Sequence, residues 1–83
     1  MKEVSVDSMA ERSSAIAQWQ LMLRDDVALL AMPGAHHKAL VRQAYALHHC
    51  KVIDADDLID LLEFADAALG FAIEAMLDVK PNE

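Results

Sequence analysis

Ile53-Asp54-Ala55-Asp56-Asp57-Leu58-Ile59-Asp60-Leu61-Leu62-Glu63-Phe64 is the stretch on which the fold turns. It opens as a helix start. Asp54 has the side chain to cap the first free backbone N–H groups, and Asp57 stands three residues later, where a capping box needs its second acceptor. Asp56 adds negative charge beside the positive end of the helix dipole, and Ile53 and Leu58 have the spacing of a hydrophobic staple. From Ala55 onward apolar residues recur every three or four positions without a breaker, so a helix is predicted over 55–78.

The same periodicity runs upstream. A first helix is expected over about 8–31, opened by the capping-box pattern Ser8-Met9-Ala10-Glu11. Its core stripe reads Ile16, Trp19, Leu23, Val27 and Leu30, and Met32-Pro33-Gly34 ends it. A second helix follows over about 34–50, with Leu40, Val41, Ala44, Leu47 and His48 on one side and Lys38, Arg42 and His49 towards the other. No segment alternates with period two, so the class is all-α. Short connections make successive helices antiparallel, which predicts a three-helix bundle forming one domain over 1–83, with frayed termini at 1–7 and 79–83.

A chain of 83 residues is too short for two cores. It buries roughly 60–65% of its unfolded surface, and a second copy would add burial that one chain lacks. A single cysteine, Cys50, excludes an intrachain disulfide and fits a reducing cytoplasm. The start of the chain has no signal-peptide pattern, and no apolar run approaches a membrane span, so neither export by that route nor membrane insertion is expected.

Charge is distributed in blocks. The net value of −7 divides into −2 over residues 1–26, +3 over 27–53 and −8 over 54–83, and the acid-free middle block also holds all four histidines. Such acidity repels phosphate backbones, so no direct nucleic-acid partner is expected. The basic second helix complements the acidic third, within one chain or across a dimer.

At 100° per residue, Asp56, Asp60, Glu63, Glu74 and Asp78 form one stripe on the last helix. The rest of its circumference, about 240°, is mostly apolar, well beyond the ~100° stripe of a helix packed on one side. One seam holds Leu58, Leu62, Ala65, Leu69, Ala72 and Met76; a second holds Leu61, Phe64, Ala68, Phe71 and Ala75; Ile59, Ile73 and Leu77 lie on the far flank. Either the other helices wrap this helix, or the Phe64/Phe71 seam meets a second copy or another protein. The second course is expected, with Asp56, Asp60, Glu63, Phe64, Ala68, Phe71, Glu74 and Ala75 as the partner-binding set and a homodimer as its simplest form. Ala68, Gly70, Ala72 and Ala75 would admit a partner helix closely.

Chemistry is not expected. Adjacent histidines on a helix point about 100° apart, so His36-His37 and His48-His49-Cys50 do not close on one ion, and surface or boundary positions are expected for them. Cys50 near a helix C-terminus is disfavoured as a thiolate and is read as a packed or partly buried thiol. Trp19 and Tyr45 read as core or boundary aromatics. Asp56, Asp60 and Glu63 lack the desolvation that would separate their pKa values for acid–base work. There is no phosphate-binding loop, nucleophile elbow, zinc spacing or EF-hand, so the chain reads as no enzyme, with no metal and no cofactor. The expected function is a small acidic cytoplasmic protein–protein interaction module, an adaptor, regulator or inhibitor. The alternatives are a nucleic-acid-mimicking inhibitor, such as a phage or mobile-element product, and a metal-binding helical protein.

Overall fold

A computed structural model describes residues 6–78 of the chain, with side chains over 10–77. The protein is all-α, with four helices and no strand among the described residues: α1 (Val6–Leu23), α2 (Asp26–Ala31), α3 (Pro33–His49) and α4 (Ala55–Asp78). Helix α4 has the predicted bounds. Its start is the expected capping box: the Asp57 N–H donates to Asp54 Oδ1 at 2.8 Å and the Asp54 N–H donates to Asp57 Oδ2 at 3.3 Å. Ile53 and Leu58 are both buried in the main core, as the staple requires.

The first predicted helix, 8–31, is two helices. The break falls at Arg24-Asp25, where Asp25 leaves the helical conformation (φ −77°, ψ 87°) and its carboxylate accepts from the Ala28 N–H at 3.1 Å. A local side-chain acceptor thus competes with continuation of the helix and caps a new one. The new phase overturns part of the expected core stripe. Leu29 turns inward at 3% exposure, while Val27 at 82% and Leu30 at 47% face out. At the other end α1 already includes Val6, so Ser8 lies inside the helix and is not its cap, and residues 6–7 are helical where fraying was expected. The side chains of the Ser8 pattern, like residues 1–5 and 79–83, lie outside those described.

Helices α3 and α4 form the principal pair, antiparallel across a short connection, and α1 and α2 lie against both. The connection is a Schellman motif: the Lys51 N–H donates to the His48 carbonyl at 2.9 Å and the Val52 N–H to the Leu47 carbonyl at 3.0 Å. Lys51 takes the left-handed conformation there, with φ 66°, at the position glycine usually holds. Val52 and Leu47, half-buried against the core, supply the apolar pair that accompanies the motif.

The core joins Trp19 of α1 to Leu40 and Ala44 of α3 and to Leu61 and Ala65 of α4, with Ile53 and Leu58 closing the loop end. Ala44 and Ala65 are fully buried, and their small size lets the helices approach around Trp19. The indole N–H of Trp19, itself 2% exposed, donates to the Leu40 carbonyl at 3.0 Å, so its one polar atom is satisfied in the interior. Two further polar contacts hold α1. His36 Nε2 lies 2.8 Å from the Met22 carbonyl, which requires the Nε2–H tautomer and fastens the first turn of α3 to the end of α1. Arg12 donates two hydrogen bonds to Asp57, 2.7 Å and 2.6 Å, tying α1 to the capping box of α4.

Two measurements test these local readings. Lys51→Gly removes a left-handed non-glycine residue, and Gly70→Ala adds a Cβ on α4 that meets nothing within 4 Å. Each is expected to raise unfolding free energy by about 0.5–1 kcal/mol in urea titrations. The hydrogen bond from Arg12 chiefly, aided by the Asp54 N–H and opposed by burial, holds the Asp57 carboxyl below the usual range. A carboxyl depressed in the folded state stabilises above its unfolded pKa and ceases to do so as pH falls through the folded value. The stability gap between wild type and Arg12→Ala is therefore expected in full at neutral pH, to begin to narrow below about pH 4 and to close only as pH falls through the lower folded value, and an undiminished gap in strong acid would contradict it.

Candidate interaction surface

The four described acids of the predicted stripe, Asp56, Asp60, Glu63 and Glu74, are all exposed and lie on the side of α4 opposite its buried line Leu58, Leu61, Ala65 and Ala72. The side chain of Asp78 is outside the described residues. This stripe is the solvated pole of the helix. The second apolar seam is divided by the fold. Leu61 is buried and Ala68 and Ala75 are half-buried, whereas Phe64 and Phe71 stay at 47% and 59% exposure. Ala72 is fully buried within the chain, so it is not available to a partner helix as expected; Gly70 does face open space.

Phe64 and Phe71 form one wall of an open trough of about 560 Å³ between α4 and the α1–α2 corner. Ala67 and Ala68 lie between them; Leu23 and Leu29 line the opposite side, and Arg24 and Asp26 stand at its edge. The trough exists because of the break at Asp25. A continuous first helix would present Val27 and Leu30 to α4, whereas the capped α2 presents Leu29. Sequence periodicity missed Leu23, Arg24, Asp26 and Leu29 as members of this surface. The available signal was the Asp25-Asp26 pair, which puts a capping residue inside an apparently helical run. A second, almost wholly apolar hollow lies on the other side of α2, lined by Met22, Ala28, Met32, Ala35 and His36 among others.

Other expectations need correction. His36 is buried at 7% exposure rather than at the surface or boundary, and its Nδ1 has no hydrogen-bond partner. His48, placed with the core side of its helix, is exposed; it lines an open hollow at the surface with Arg12 and Val52. Cys50 is exposed, not packed, because the Schellman turn carries the chain away from the core at that residue. Tyr45 is 52% exposed, while Trp19 is core as expected. The middle and last helices meet through a polar contact within the chain at His37 Nε2 and Asp66 Oδ1, 2.8 Å apart. Among the described residues no group of three metal-ligating side chains converges, and no helix is long and apolar enough to cross a membrane.

No protein-family model, curated protein or solved structure matches the chain. The surface therefore speaks through its chemistry alone: a concave apolar floor, two half-exposed phenylalanines and acids along one side. Because the floor rests on Leu29, Leu29→Ala is expected to cost about 2–4 kcal/mol and to release the α2 corner. Faster amide exchange confined to α2 and its flanks is the observation that checks it.

Proposed function

We propose that the chain is a protein–protein interaction module with no chemistry of its own, acting as an adaptor, regulator or inhibitor through the trough beside α4. The single observation that carries this reading is the pair Phe64 and Phe71. They are half-exposed, seven residues apart on one helix face, and lie over an apolar floor rather than singly on a polar surface. Aromatic anchors at a contiguous apolar patch are what interfaces use for affinity. The working set is Phe64, Phe71, Ala68 and Ala75 with the acids Asp56, Asp60, Glu63 and Glu74, extended by Leu23 and Leu29. A trough open along its length suits an inserted helix, whose apolar ridge would fill it while basic residues meet the acids. The bundle reading fits this use: α1, α3 and α4 make a three-helix frame, and α2 is the corner that shapes the trough. A cytoplasmic setting accords with one unpaired, exposed cysteine.

The acidic stripe on its own is what a nucleic-acid mimic would use, and salt separates the two. Host proteins captured on the immobilised wild-type chain are expected to stay bound near 0.5 M salt and to be lost on Phe64→Ala with Phe71→Ala. Asp60→Asn with Glu63→Gln should weaken capture only modestly. Capture that survives loss of both phenylalanines but vanishes with the acids, or with modest salt, would establish the mimic instead.

A further inference from the structure

A different face of the molecule carries a second inference. Helices α3 and α4 are covered by α1 and α2 on one side only. On the other side Val41 and Tyr45 of α3 lie level with Leu62 and Ile59 of α4, with Tyr45 and Ile59 each 52% exposed. This face is on the flank of α4 away from Phe64 and Phe71, with the acidic stripe between them.

Its two edges carry opposite charge. The outer edge on α3 is Lys38, Arg42 and His49, all exposed and within about 40° of one another around the helix. The outer edge on α4 is acidic, with Asp56 and Glu63, both exposed and within about 60° of Ile59 around the helix. Asp66 sits within the face and is paired with His37. That contact also sets the levels of the two antiparallel helices. Stepping from it, Lys38 stands level with Ala65, Arg42 with Leu61 and His49 with Asp54.

We propose that a second copy of this chain covers the α3–α4 face, related by a two-fold axis parallel to the helices. An axis in that direction lays α3 of each copy over α4 of the other and leaves every height along the bundle unchanged. The partner's Glu63 then lies about 3 Å along the axis from the levels of both Arg42 and Lys38, and Asp56 lies equally near the level of His49. No sliding is needed to bring the edges into match. The other two-fold arrangement of the same face, with its axis across the helices, lays α3 on α3 and α4 on α4 and sets like charge on like.

Helix α3 is about 26 Å long and a helix pair about 18–20 Å wide, so the overlap is on the order of 500 Å² per copy, the range of weak specific interfaces. Charge match therefore selects the arrangement, and the association is concentration- and salt-dependent. It goes beyond the adaptor reading: it draws on Asp56 and Glu63 of the acidic stripe but leaves the Phe64/Phe71 trough open.

Sedimentation equilibrium of the full chain from 10 µM to 1 mM, at 50 mM and 500 mM salt, tests it. A dimer is expected at low salt, with Kd rising at least tenfold at high salt. Lys38→Glu with Arg42→Glu, and separately Glu63→Lys, should each be monomeric with helicity retained. An equimolar mixture of the two should regain the dimer. Phe64→Ala with Phe71→Ala should dimerise like wild type while losing any partner captured at the trough, so failure of one reading is distinguishable from failure of the other. A wild type monomeric at 1 mM overturns the proposal. A dimer indifferent to both charge reversals, or a mixture that stays monomeric, overturns it equally; the wild-type salt series stands even where a variant does not fold.

Discussion

Helix α4 is apolar around about two thirds of its circumference, and two neighbouring faces are all that 83 residues can supply to cover it. Most of the architecture answers that constraint. Helix α3 packs with Leu58, Leu61 and Ala65, and the α1–α2 corner lies beside Ala68, with Trp19 filling the centre. What neither reaches remains at the surface: Phe64 and Phe71 on one flank, and Ile59 and Ile73 on the other. Both proposed surfaces are therefore consequences of one surplus, placed on opposite flanks by the positions of α3 and of the α1–α2 corner.

The polar contacts arrange this cover more than they stabilise it. The exposed ion pair of Arg12 and Asp57 contributes little by itself, but it fixes α1 to the start of α4 at the residue that caps that start. A buried hydrogen bond from Trp19 to Leu40 and a partly buried one from His36 to Met22 set the height of α1 against α3. With those heights set, the end of α1 falls opposite Phe64, and the corner at Asp25 has to turn there.

How far the surface was legible in sequence depended on how local its causes are. Phe64 and Phe71 were identifiable because α4 is a regular helix whose cap and stripe both lie within the chain segment itself. Leu29 was not, because its inward position follows from a single backbone departure at Asp25, and periodicity assumes an unbroken phase. Lys51 gave no sign of its left-handed conformation, since glycine, the usual marker, is absent. His36 was read as surface on residue type, and only the end of α1 lying over it makes it interior.

The sequence by itself determined the helical class, the bounds and cap of α4, the stop before Pro33 and the blocks of charge. Each of these rests on interactions between residues a few positions apart, which composition and spacing express directly. Only the tertiary structure decided which apolar residues are covered: Leu29 rather than Leu30, Ala72 rather than Phe71, His36 rather than His48. Cover depends on where other helices end, and a helix end is set by competition between local caps and distant packing, which no single segment of the chain contains.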